Sequence, residues 1–185
     1  MKTILQIIKG WLPFAIATAG LCGLVYLTVQ QALRMGANDP QIQIAEDAAS
    51  ALNDGANVDS IVPVTKVELA TSLAPFIIVF DDSGKVLAAS ATLHGAVPVY
   101  PAGVLDYTRQ NGEDRVTWQP ENGVRMATVV VRYNRGFLLA GRSLREVEIR
   151  EDNTEKISGL AMLVIWAATL FVIVLGELAG HKRGA

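Results

Sequence analysis

Two long apolar runs frame the chain, Trp11–Val29 and Ile157–Leu178. A helix over the first rises about 1.5 Å per residue and so spans roughly 28 Å, near the hydrocarbon thickness of a bilayer. The first helix is expected to pass beyond its run as Thr28–Met35 and to be interrupted by Gly36. Asn38-Asp39-Pro40-Gln41 then reads as a new helix start, with Pro in the first turn. Ile42, Ala45, Ala49 and Leu52 recur at helical steps, and Gly55 stands where a C′ residue belongs. Thr65 and Glu68 form a capping-box pair, flanked by the staple pair Val64 and Leu69, which predicts a second short helix ending before Pro75.

Phe76–Phe80 is a continuous apolar strand, buried on both faces, and Asp81–Lys85 supplies a turn into a returning strand Val86–Ala91. Thr92–Pro101 is irregular, and Ala102–Asn111 predicts a helix closed by Gly112. Arg115–Gln119, Val124–Tyr133 and Phe137–Gly141 alternate as half-buried strands and form an antiparallel meander. Ser143 and Glu146 make a third capping box, so a last helix starts at Leu144 and meets no Gly or Pro until Gly159.

This pattern divides the chain into residues 1–10, a transmembrane helix 11–29, a module 30–156 with its exit helix from 144, a second transmembrane helix 157–178 and a tail 179–185. The fold class is α+β. Charge sharpens the topology. Of 18 acidic residues all but Glu177 lie in the module, whereas Lys2, Lys9, Lys182 and Arg183 flank the apolar runs. Positive charge at membrane ends stays cytoplasmic, so both termini are expected on the cytoplasmic side and the module outside. The small-x-small site Ala17-Thr18-Ala19 lies within the first run, and the bulky Leu21 precedes Cys22; both favour an uncleaved anchor over a signal peptide. With so short a tail, no built-in output domain is expected.

Pro75–Ser90 (PFIIVFDDSGKVLAAS) places a buried strand ending in Asp before a Gly-containing turn and a small-residue strand. With the order of elements over residues 37–156, it resembles the extracytoplasmic PAS-like sensor domains of the single Cache class, found between two transmembrane helices in bacterial sensor kinases and chemoreceptors. The resemblance implies a PAS-like five-stranded antiparallel sheet with N-terminal helices. It also implies a ligand cavity between the sheet and the loop-helix segment, walled by Phe80, Leu87, Ser90 and Met126. His94, Tyr100, Tyr107, Trp118 and Arg115 would stand near its mouth. The amine-sensing arginine–tyrosine–aspartate pattern and a citrate-type motif are both missing, as are the HAMP, kinase, cyclase and methyl-accepting segments that such domains feed.

The chemistry-bearing residues point away from catalysis. There are two histidines, His94 and His181, and one cysteine, inside a span. No histidine pair at helical spacing and no phosphate-binding glycine loop occurs. Asp81-Asp82 is explained by the needs of a hairpin turn. No enzyme activity, metal, cofactor or nucleic-acid partner is therefore expected. Core packing competes with ligand contact for Trp118 and Tyr107, and surface pairing competes for Arg115, whereas His94 and Tyr100 lie in a loop that packing does not explain. Ala15, Ala19 and Gly23 recur every four positions and suit close helix pairing, with the second span or with another copy. Glu177 and His181 suit an interfacial pair. The expected function is that of a membrane-anchored sensory module signalling through a separate membrane or cytoplasmic protein. The alternative is a non-sensing scaffold or accessory subunit. Membrane lipid is the expected environment; a small-molecule ligand and homodimerisation stay open.

Overall fold

A computed structural model describes the backbone of residues 2–183 and the side chains of residues 4–36 and 39–179. Its elements are α1 (Lys2–Asn53), α2 (Val58–Ile61), β1 (Val67–Glu68), β2 (Phe76–Asp81), β3 (Val86–Ala89), β4 (Ala91–Thr92), α3 (Ala102–Asn111), β5 (Glu113–Glu121), β6 (Val124–Tyr133), β7 (Gly136–Ser143) and α4 (Arg145–Arg183). They form two compact units, one of Arg34–Glu148 and one of the chain up to Leu33 with the chain from Ile149 onward.

The central unit is built on a five-stranded antiparallel sheet in the order β3-β2-β7-β6-β5. β2 carries no polar residue before Asp81, and the sheet explains why. Phe76, Ile78 and Phe80 join Met126, Val130, Phe137 and Leu139 on one face. Ile77 and Val79 join Val129, Leu138 and Ala140 on the other. The second face is covered by α1 through Ala45, Ala48, Ala49 and Leu52, all below a tenth exposed. Alanine at three of these positions lets the helix backbone sit close to the strands. Each fully buried Val, Leu, Ile or Phe contributes about 1.5–3 kcal/mol, so the two-sided packing of β2 is the main fastening of the unit. Phe76 lies over its cross-strand partner Gly141, where any Cβ would collide with the phenyl ring.

α1 ends where the apolar stripe predicts. Ala56 N–H donates to Ala51 O at 2.9 Å and Gly55 N–H to Leu52 O at 3.2 Å, with Gly55 at φ 96°, which is a Schellman motif. α3 covers the span read from the sequence and is closed by Gly112 at φ 87°.

Three local expectations are corrected. First, α1 is unbroken from Lys2 to Asn53, through both Gly36 and Pro40. Pro40 has no N–H, so the Gly36 carbonyl loses its intrahelical donor there. The buried stripe from Ala45 to Leu52 holds the helix in spite of that loss. The predicted cap at Asn38 concerns a side chain outside the described ones, as does the Glu177–His181 pair.

Second, the capping box at Thr65–Glu68 starts no helix. Val67-Glu68 instead forms β1, paired in parallel with Ala91-Thr92 of β4. Val67 and Leu69 are buried with strand alternation around a partly exposed Glu68. Fewer than three turns fit before Pro75, too short for a helix to hold against this ladder.

Third, the strand expected over Val86–Ala91 is split at Ser90. This fully buried serine accepts Ile77 N–H at 2.9 Å through Oγ and donates to Ile77 O, while its carbonyl accepts Val67 N–H at 2.7 Å. The chain thus passes from the large sheet to the small one at a single residue. The exit helix begins at Arg145, one residue later than expected, and Ser143 Oγ accepts its N–H at 3.2 Å.

In the unit of the chain ends, two tryptophans exchange hydrogen bonds between helices. Trp11 Nε1 donates to Trp166 O and Thr169 Oγ1, each at 3.1 Å, and Trp166 Nε1 donates to Ala15 O at 3.2 Å. The rings meet edge to face at 5.7 Å. α1 and α4 are each long and apolar enough to cross a membrane, and their most apolar windows are 6% and 0% buried.

Candidate functional site

The segment between β4 and α3 packs onto the sheet through Tyr100. Tyr100 descends onto the sheet and is 7% exposed. Its ring lies 5.0 Å from Trp118, edge to face, and 6.2 Å from Phe80; Trp118 in turn lies 6.5 Å from Phe76. Trp118 on β5 is the cross-strand partner of Met126 on β6. Phe80, Tyr100, Trp118 and Met126 therefore stand together in one packed cluster. Burial raises the Tyr100 phenol well above its ordinary value, and Thr128 Oγ1, at 2.9 Å, meets its hydroxyl.

His94 and Glu68 close the rim of this loop. His94 has φ 53° and Gly95 φ 80°, a turn that aims two successive amides outward. The Glu68 carboxylate accepts both, at 3.0 Å from His94 N and 3.3 Å from Gly95 N, and Thr92 Oγ1 lies 3.3 Å away. The His94 amide is the largest cause holding the Glu68 carboxyl below its usual range. On its other side, His94 Nε2 lies 2.7 Å from Glu121 Oε2, and that carboxylate raises the imidazole pKa. The imidazole itself is solvent-exposed.

The remaining candidates lie apart. Arg115 is exposed and paired with Glu113. Tyr107 on α3 is 53% exposed. Leu87 is half exposed and lies on the α1 side of the sheet with Leu52 and Tyr133; the register between β2 and β3 shifts there, Val79 pairing with Ala88 and Phe80 with Val86, which leaves Leu87 without a partner. Ser90 is fully buried and spends its hydroxyl on Ile77. Ala15 is 5% exposed beneath Trp166, while Ala19 and Gly23 are half-buried on the same helix and a Cβ at Gly23 would meet nothing within 4 Å. Sequence reasoning does not place Glu68, Glu121 or Thr128 at a site. Glu68 was absorbed by an apparent cap, and the other two carry no local signal.

Open space exists on the opposite face of the sheet. A groove of about 370 Å³ runs beside the C-terminal end of α1, between Leu52, Asn57, Val58, Leu87, Tyr133 and Arg135. Among the described residues no three of His, Cys, Asp or Glu converge for a metal ion. No family model, curated protein or solved structure matches this chain.

Proposed function

We propose that the chain is a membrane-anchored sensory or regulatory module of PAS-like type, held outside the cytoplasm of a bacterial cell, that passes its state to a partner signalling protein through its long helices. The observation that carries this reading is that α1 and α4, which bound the module in sequence, each hold an apolar window with almost none of its surface buried. Such surface is costly in water and suited to lipid. A five-stranded antiparallel sheet with a helix-loop segment between its hairpin and its meander supports the PAS-like part of the reading. Lys2 and Lys9 before one window, with Lys182 and Arg183 after the other, support an outward-facing module.

The test uses the full chain in cells. Ser83→Cys in a Cys22→Ser background places a thiol on an exposed hairpin turn. A membrane-impermeant maleimide is expected to label it in intact cells, and photocrosslinkers at the exposed Leu163 or Phe171 are expected to trap a signalling protein. Labelling only after lysis overturns the topology, and crosslinks to lipid alone overturn the signalling part.

A second reading, an accessory subunit that binds another protein's extracytoplasmic part, is favoured by one observation. Phe80, Tyr100, Trp118 and Met126 pack together in one buried cluster, while Val97, Val99 and Tyr107 are 47%, 90% and 53% exposed. Crosslinkers at Val99 that trap a protein in the absence of any trapped at Leu163 or Phe171 would support this reading over the first.

A further inference from the structure

The groove beside the end of α1 is assembled from three separate pieces of chain. The Schellman turn at Gly55 folds the chain back, and Asn57 then caps α2, its Oδ1 accepting Asp59 N–H at 3.2 Å. The tight turn between β6 and β7 is tied to the same place, because Asn134 N–H donates to Asn53 Oδ1 at 2.8 Å. That bond sets Arg135 at the groove's rim. Leu87, the unpaired residue at the irregularity in β3, supplies an apolar wall.

The lining has a distinct chemical division. Leu52, Val58, Leu87 and the Tyr133 ring are apolar. The Tyr133 hydroxyl is already engaged, donating to Phe80 O at 3.3 Å. Arg135 brings a permanent positive charge, and no carboxylate among the described residues pairs with it, although five other ion pairs form in this unit. Asp81, whose charge reaches the Tyr133 phenol together with that of Arg135, is occupied by the amides of Ser83 and Lys85 and by the Ser83 hydroxyl. An apolar trough with one uncompensated guanidinium and an amide at its edge is complementary to an amphipathic anion.

We infer that this groove binds a small organic carboxylate with an apolar body. The carboxylate sits on the Arg135 guanidinium with the Asn57 amide beside it, and the body lies against Leu52, Leu87 and the Tyr133 ring. The volume suits an acid of the size of benzoate or hexanoate, at the small end of ligand sites. The inference rests on the sensory reading above and moves its ligand from the Tyr100 face of the sheet to the α1 face.

The test is a ligand-observed NMR titration of benzoate, and of benzamide as its neutral isostere, against the full chain in lipid nanodiscs, with empty nanodiscs as background. Saturable benzoate binding is expected. It should weaken by at least about tenfold in Arg135→Ala and in Leu87→Asp, and less in Arg135→Lys; benzamide should bind the native chain at least about tenfold more weakly than benzoate. Arg135 and Leu87 are both exposed, so unchanged far-UV circular dichroism is expected for the variants. Benzoate signal no greater than with empty nanodiscs, equal binding of benzamide, or full affinity in Arg135→Ala each overturns the inference. Its failure alongside successful maleimide labelling and crosslinking removes the ligand alone. A saturable benzoate site in a chain that fails those assays removes the signalling reading and leaves the groove.

Discussion

The hydroxyl of Tyr100 lies 2.9 Å from that of Thr128 on the buried face of the sheet, and Thr128 donates onward to the Val116 carbonyl, also at 2.9 Å. Tyr100 is therefore the donor of the first bond, and the chain of hydroxyls ends on the backbone of β5. Every polar atom in it has a partner, which is what permits a tyrosine to enter an otherwise apolar cluster.

Tyr100→Phe removes one donor and leaves Thr128 still bonded to Val116, so a loss of about 1 kcal/mol is expected. Thr128→Val strands the buried phenol and should cost more, about 1–3 kcal/mol. Tyr100→Ala, which also empties the ring's volume, should cost about 3–5 kcal/mol. Denaturant midpoints of the full chain in detergent would give this order. Equal losses for Tyr100→Phe and Tyr100→Ala would show that the ring does not pack.

The rim of the same loop has a defined pH response. Glu121 raises the His94 pKa, so this contact is fully present below the unfolded value and is lost as pH rises through the folded one. Glu68 is held below its usual range, so its bonds to the His94 and Gly95 amides are lost only as pH falls through that lowered value. Loop order is therefore expected to be greatest in a window above the Glu68 pKa and below the His94 pKa. Amide exchange at Leu93–Ala96 should quicken above the native His94 pKa by more than its intrinsic pH dependence, and His94→Gln should abolish that step.

Two glycines are required by neighbours rather than by local conformation alone. A Cβ on Gly136, at φ 157°, would strike the Phe80 carbonyl and the Asp81 backbone, and one on Gly141 would strike the Phe76 ring. Backbone cannot yield as a side chain can, so Gly136→Ala is expected to be the more damaging. Gly141→Ala should cost about 1–3 kcal/mol through overpacking. Gly20→Ala meets nothing within 4 Å and should leave the thermal midpoint unchanged.

The paired tryptophans supply a fourth test. Trp11→Phe and Trp166→Phe keep a ring but each removes indole bonds between α1 and α4. Each is expected to cost about 0.6 kcal/mol, with roughly 1.7 as the upper bound for interhelical bonds in a membrane. Mixed-micelle denaturation of both variants and of the double variant would measure this, and additivity would show that the bonds made by the two indoles are independent of one another.

What the chain reveals without its structure is whatever depends on neighbours within a turn or a hairpin. The span of α3, the Gly55 stop, the two-faced burial of β2 and the β5–β7 meander all follow from apolar period and turn residues, since those forces act over a few positions. The α+β class and two membrane-length helices were legible for the same reason. Of the candidate site residues, Tyr100, Trp118 and Met126 share one buried cluster, while His94 engages Glu121 and Glu68. The tertiary structure alone decided three things. It turned Glu68 from an apparent cap into the anion that holds the His94–Gly95 amides, because a strand ladder with β4 outcompeted a helix too short to form. It carried α1 across Gly36 and Pro40, because burial of the alanine stripe outweighed one lost backbone bond. It set Leu87 beside Ala88 on the α1 face, because β3 carries one extra residue opposite Val79 and Phe80.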